Sequence, residues 1–238
     1  MKKKHQVHNL IILDESGSME SIKTLIISGF NELVQTIQGI EKQFPEQEHF
    51  VSFVSFNSLG QKTLHFMEPA TNLKQINHSS YNPDAMTPLF DAMGSNINRL
   101  KQSLQGQTEY NVLVTILTDG LENTSIKYNG NDIKSLVEKL KQNRWTFTYI
   151  GADHDVEKIA SSLSINNTMV FEKNEEDIKN MFIREQSARA NYSNKIRNNE
   201  DTSSNYFEET ENNKKTKTDI DSKLPKDGRS WLQKLFGK

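Results

Sequence analysis

Two short loops and one helix start concentrate oxygen ligands in this chain. Asp14-Glu15-Ser16-Gly17-Ser18 follows an apolar run that ends at Leu13, and Thr118-Asp119-Gly120-Leu121-Glu122-Asn123 follows another that ends at Leu117. Between them, Thr87 stands directly before Pro88. Asp14, Ser16, Ser18, Thr87 and Asp119 supply two carboxylates and three hydroxyls, with no imidazole. An oxygen-only set of this kind suits a hard cation, Mg2+ or Mn2+. Singly, each residue also has an ordinary structural use. Ser18 or Ser21 could cap a helix, Thr87 could cap one whose first residue is Pro88, and Asp119-Gly120 is a common turn pair. Their joint placement just past strand ends is what points to a ligand site.

Other chemistries fit less well. A carboxylate directly after the first strand of a parallel sheet also suggests a haloacid dehalogenase-like phosphatase with Asp14 as nucleophile. That reaction needs a second Asp two residues on as general acid, and Ser16 stands there; a hydroxyl pKa is too high for the task. No Gly-rich run ends in Gly-Lys-Ser/Thr, and no Gly-x-Ser-x-Gly elbow occurs. Of the six histidines only His5 and His8 are close in sequence, so a zinc site is not indicated. Asp153 and Asp155 follow a strand pattern and read as helix-capping residues. Glu122 reads as structural too, with a role in partner choice as the alternative.

These loops need a scaffold that brings strand ends together. Strand patterns rich in Val, Ile, Phe and Thr cover Val7–Leu13, Phe50–Phe56, Thr63–Met67, Val112–Leu117, Trp145–Ile150 and Thr168–Phe171. Helical spacing appears in Ile22, Leu25, Ile26, Phe30, Leu33, Val34 and Ile37, then over Pro88–Leu100, Asp132–Asn143, Asp155–Leu163 and Glu175–Arg189. Strands alternating with helices predict an α/β, Rossmann-like fold with a mostly parallel central sheet and helices on both faces. The connection Asn57–Lys62 is too short for a crossover helix, so Thr63–Met67 is expected as one antiparallel edge strand. In such sheets ligands bind beyond the carboxyl ends of strands, where the strand order switches.

The chain has 238 residues, 34% of them hydrophobic, and a mean hydropathy of -0.71. Those values are low for a buried parallel sheet and predict a nearly core-free portion. Residues 1–190 are read as the domain, 191–228 as a disordered linker, and 229–238 as a short amphipathic segment. In that segment Trp231, Leu232, Leu235 and Phe236 would share one helical face, which suggests a second docking element. Net charge is -2, which argues against a nucleic-acid partner. There are no cysteines, and no stretch of about 18 apolar residues that a membrane span requires. The apolar run after Lys2-Lys3-Lys4 is too short for a signal peptide. A cytoplasmic, soluble protein with no membrane contact is expected.

Asp14-Glu15-Ser16-Gly17-Ser18 resembles the Asp-x-Ser-x-Ser signature of von Willebrand factor A domains. Met86-Thr87-Pro88-Leu89-Phe90-Asp91-Ala92 is similar to the threonine loop of many bacterial members, and Leu117-Thr118-Asp119-Gly120 resembles the last loop of their metal ion-dependent adhesion site. The three stand in family order, over about residues 7–190. The resemblance implies that Ser16, Ser18 and Thr87 ligate a divalent cation directly, with Asp14 and Asp119 holding it directly or through water. It implies no enzymatic activity but a protein-binding module that engages an acidic residue of its partner, as in intracellular bacterial members linked to stress signalling or to ATPases. A phage or mobile-element accessory protein is the alternative class. The chain departs from relatives in Ser79–Met86, where Pro83 and Asp84 replace frequent glycines.

Overall fold

The computed structural model describes residues 4–152 and 155–208. Among the described residues six strands and five α-helices follow in the order β1 (His5–Asp14), α1 (Lys23–Gln43), β2 (Gln47–Asn57), β3 (Gly60–Pro69), α2 (Leu89–Ser103), β4 (Tyr110–Thr118), α3 (Gly130–Lys141), β5 (Trp145–Gly151), α4 (Val156–Ser162), β6 (Asn167–Val170) and α5 (Glu175–Arg197). They form one sheet in the order β3-β2-β1-β4-β5-β6. All pairings are parallel except β2 with β3, which closes the short hairpin as an antiparallel edge.

The pleat of β1 shows how the layers arise. Ile11 and Leu13 face a core shared with Ile26, Phe30 and Leu33 of α1 and Ile178, Met181 and Phe182 of α5. Leu10 and Ile12 face the opposite core, shared with Leu89, Met93 and Ile97 of α2, Ile133 and Val137 of α3, and Val156 of α4. Alternate residues therefore serve opposite layers, and both faces of β1 and β4 are buried, which is why these strands read as unbroken apolar runs. The helix pair α1 and α5 approaches closely at Gly29. A Cβ there would fall 2.1 Å from the Phe182 ring, so only glycine allows this crossing.

Two ends differ from their sequence patterns. The alternative use of Ser18 or Ser21 as a helix cap is not seen: a 3-10 turn over Gly17–Ile22 precedes α1, and neither element has a side-chain cap. Helix α5 runs past Arg189 to Arg197, and the following segment returns to the protein with Thr202 and Tyr206 buried. Polar hydrogen bonds hold this segment, and a search for apolar periodicity passes over it. Asp153, His154 and the tail from 209, with Trp231, Leu232, Leu235 and Phe236, lie outside the described residues.

Candidate metal centre

Strand order reverses at β1, whose neighbours are β2 on one side and β4 on the other. Because Leu13 pairs with Leu117, the loops after both strands leave the sheet side by side. Asp14 closes β1 and is fully buried. Its Oδ1 accepts the Ser16 N–H at 2.7 Å, and its Oδ2 accepts the Thr118 hydroxyl at 2.6 Å. The Ser16 and Ser18 hydroxyls lie 3.2 Å apart, and Ser18 donates to Asp119 Oδ1 at 2.6 Å.

Thr87 joins from the third loop. Its N–H donates to Asn123 Oδ1 at 2.9 Å, and its carbonyl accepts the Asn123 N–H at 3.2 Å, so the last loop holds it on both sides. It is not the cap of α2: that position is Pro88, and the helix begins at Leu89. Its hydroxyl faces Gly120 instead. A Cβ built on Gly120 would stand 3.4 Å from Thr87 Oγ1, 3.8 Å from Ser18 Oγ and 4.0 Å from Asp14 Oδ2. Three oxygens, two from the first loop and one from the Thr87 loop, thus approach one point on the last loop.

The loop between β3 and α2 stitches this arrangement together. Tyr81 donates to the Asp14 carbonyl at 2.7 Å, Asp84 N–H to the Glu15 carbonyl at 2.9 Å, and Gly17 N–H to the Ala85 carbonyl at 3.0 Å. Ala85 accepts a left-handed backbone (φ 63°) to make that last bond. The backbone of Asp84 and Ala85 therefore braces the first loop.

Glu15 is buried beside Asp14 but its oxygens are occupied. Oε2 accepts the Ser55 hydroxyl at 2.6 Å, while Oε1 meets Asn82 N–H at 2.6 Å and Lys62 Nζ at 2.5 Å. Glu122 is occupied too, accepting from Phe90 N–H, Thr124 N–H, Ser125 N–H and the Ser125 hydroxyl. It binds the start of α2 to the last loop. Asp155 caps α4 through Lys158 N–H at 3.1 Å.

Asp119 differs from both. One oxygen accepts from Ser18; the other, Oδ2, is buried and pairs with Lys173 Nζ at 2.7 Å. Burial pushes the Asp14 carboxyl up to about 6, with the Thr118 and Ser16 hydrogen bonds pulling it back and the Asp119 charge adding to the rise. A buried Asp14 carboxyl with too little compensation, beside an Asp119 that is held by one hydroxyl and one ammonium, fits a nearby cation. Among the described residues no group of three or more His, Cys, Asp or Glu side chains gathers, so hydroxyls must complete any ligand set. The donors that converge are oxygens only, and they fit a hard divalent ion.

Sequence reasoning named the five converging residues and missed Thr118, Tyr81 and Lys173. Thr118 and Tyr81 act from behind, on Asp14. Lys173 follows β6, two strands from β4, and only the strand order brings it near Asp119.

A switch-point crevice lined by hydroxyls and two carboxylates, on a sheet with one antiparallel edge, defines an α/β module with a strand-end oxygen site. The chain belongs to the von Willebrand factor type A domain family, whose model matches residues 10–185; these domains are protein-interaction modules. The vWF domain of the type V pili tip protein Mfa5 from Porphyromonas gingivalis is similar in structure, with a TM-score of 0.51 and 11% identity over 76% of this chain and 95% of that one. Proximal thread matrix protein 1 from the mussel byssus aligns with a TM-score of 0.50 and 11% identity over 76% of this chain, which spans 45% of that longer chain. The SpRpn10 VWA domain aligns over 74% of this chain and 93% of its own, at 8% identity and a TM-score of 0.48. No curated protein matches the chain. Among the described residues no helix is long and apolar enough to cross a membrane.

Proposed function

We propose that this chain is a divalent-cation-dependent protein-binding module whose partner contributes a carboxylate. Asp14, Ser16, Ser18, Thr87 and Asp119 would hold Mg2+ or Mn2+, which when bound supplies a Lewis-acidic position for an acidic side chain. The observation that carries this reading is the convergence of Thr87, Ser18 and Asp14 oxygens within 4.0 Å of one point, with Asp119 bonded to Ser18. Neutral hydroxyls dominate the set and leave the charge of a divalent ion under-compensated, which favours an anionic partner group.

The rim supports a protein as that partner. Leu59, Met86 and Leu121 are exposed. Leu121 adjoins Gly120, Met86 adjoins Thr87, and Ser58 N–H donates to the Met86 carbonyl at 2.9 Å, which puts Leu59 beside it. Apolar side chains around a charged centre suit a contact surface larger than a single ion. The phosphatase alternative finds no support: Ser16 gives its N–H to Asp14 and offers no general acid two residues on.

Calorimetric titration of Mg2+ or Mn2+ into metal-free protein tests the centre. One ion per chain is expected, with the heat lost in Asp14→Ala while circular dichroism is unchanged; equal affinity in both proteins would sink the assignment. For a captured partner, chelation should release the complex, and neutralising one acidic residue of that partner should reproduce the effect. A second docking through Trp231, Leu232, Leu235 and Phe236 belongs to the same proposal. Deleting residues 229–238 should then remove a co-purifying partner or change the oligomeric state.

A further inference from the structure

Lys173 is the one cationic side chain paired with a carboxylate of the proposed metal set among the described residues, and the fold holds it there. Phe171 is buried and its N–H donates to the Gly151 carbonyl at 3.0 Å. Beyond the lysine, Asn174 accepts the Asp177 N–H at 2.9 Å, and Asp177 Oδ2 in turn accepts the Glu172 N–H at 2.5 Å. The backbone on either side of residue 173 is therefore pinned, and the side chain reaches Asp119 Oδ2 at 2.7 Å. The two partners differ in access: the Asp119 side chain is 0% exposed and that of Lys173 is 22% exposed. The carboxylate is shut off from water, while the ammonium stands at the edge of solvent on a long stem.

Charge accounting gives this contact a consequence. Glu15 and Lys62 neutralise one another at 2.5 Å, so within the proposed ligand set the charges to count are those of Asp14, Asp119 and the adjoining Lys173. With the lysine, two negative charges and one positive leave the empty set near -1; a divalent ion then brings it to about +1. Without the lysine the same steps run from about -2 to about 0.

We propose that Lys173 weakens the site's hold on the bare divalent ion and strengthens the hold of the loaded site on a carboxylate. The inference rests on the metal-dependent reading above. Lys173 first serves as the counter-ion that a buried Asp119 needs, and it must yield or share that oxygen when a divalent ion arrives. Retained at the rim, its ammonium then adds to the pull on an acidic side chain. Affinity for metal alone is exchanged for affinity for the ternary state, so partner and metal each favour the other's binding.

The test uses the full chain stripped of metal, with MnCl2 and acetate as probes. Calorimetry gives Mn2+ affinity; water-proton relaxation of bound Mn2+ reports acetate entering its shell. Lys173→Met should bind Mn2+ about tenfold more tightly, a change of about 1.4 kcal/mol. The same variant should need several-fold more acetate to displace bound water, and Lys173→Arg, which keeps the charge, should behave like the wild type. Lys173→Gln serves if the methionine variant does not fold. Wild-type binding that is unchanged or weakened in the neutral variants would overturn the proposal and make Lys173 a mere anchor for Asp119. Failure of every variant, wild type included, to bind Mn2+ would instead overturn the metal-dependent reading and this inference with it.

Discussion

Among the described residues three buried carboxylates are paired with cationic side chains, and two of those pairs, Glu185 with Arg189 and Asp119 with Lys173, are built to opposite ends. Glu185 and Arg189 sit one helical turn apart on α5, both side chains 1% exposed. Arg189 also donates to Asn9 Oδ1 at 2.6 Å and to Thr115 Oγ1 at 2.9 Å, and Tyr206 donates to Glu185 Oε2 at 2.7 Å. Asp119 and Lys173 come from separate loops, and on Asp119 Oδ2 the ammonium is the partner, with Ser18 on the other oxygen. The first pair is enclosed and its carboxylate is served on both oxygens, which suits a fixed structural role. The second is open on the lysine side, which suits exchange. Burial of the carboxylate alone does not separate the two pairs; the exposure of the cation and the number of donors on the anion do.

The most direct way to break this comparison is to remove one partner from each pair. Glu185→Ala leaves a buried guanidinium without its counter-charge and should cost about 3–5 kcal/mol in urea unfolding. Asp119→Ala in metal-free protein should cost much less, about 1 kcal/mol or under, because Lys173 can turn to solvent. Equal losses would mean that both pairs are structural.

A second effect, of about 3 kcal/mol, comes from Asp14 and its shift from 3.8 to about 6. A raised carboxyl contributes stability that is fully present below its unfolded pKa and is lost as pH rises through the folded one. Metal-free wild type should therefore lose stability relative to Asp14→Asn between about pH 4 and pH 6. Saturating Mg2+ should shrink that difference, since a bound cation favours the ionised form. His8 and His49 act in the opposite sense. Burial holds them down to about 4 and about 3, so their contribution is present above pH 6.5 and lost as pH falls. The contrast between wild type and variant is for that reason the measurement, not the wild-type curve. A contrast that does not change with pH would remove the argument that Asp14 is under-compensated.

The smallest expected change sharpens the enclosed pair. Tyr206→Phe removes one hydrogen bond to a buried carboxylate and should cost about 2 kcal/mol in the same unfolding assay. A neutral result would show that the segment after α5 is carried by other contacts.

The sheet and its helices were legible because their physical signals are local. Six apolar runs with β-branched residues, and a hairpin connection too short for a helix, were enough to place every strand and the antiparallel edge. The five converging oxygen residues were legible through strand ends and the family resemblance. Lys173 was not, because its relation to Asp119 depends on which strands are neighbours, and sequence spacing does not encode that. Helix α5 was cut short at 189 for a different reason. Its later turns face the protein with Tyr192 and Ser193, and the next segment with Thr202 and Tyr206, so an apolar period fades where polar burial takes over.

That last segment has a mechanical consequence. Asn111 donates to Thr202 Oγ1 at 3.1 Å, Thr146 to the Thr202 carbonyl at 2.9 Å, and Asn167 to the Ser203 carbonyl at 3.1 Å. Those three residues stand at or near the first positions of β4, β5 and β6, so one strap crosses three adjacent strand starts. Parallel strands have no hairpins to tie their ends. A pull applied through the chain at Glu208 is therefore met by the strap, at the rim of the sheet opposite the oxygen cluster. Tension there would peel the strap's bonds in series before it loaded the strands, leaving the ligand loops at the far rim slack.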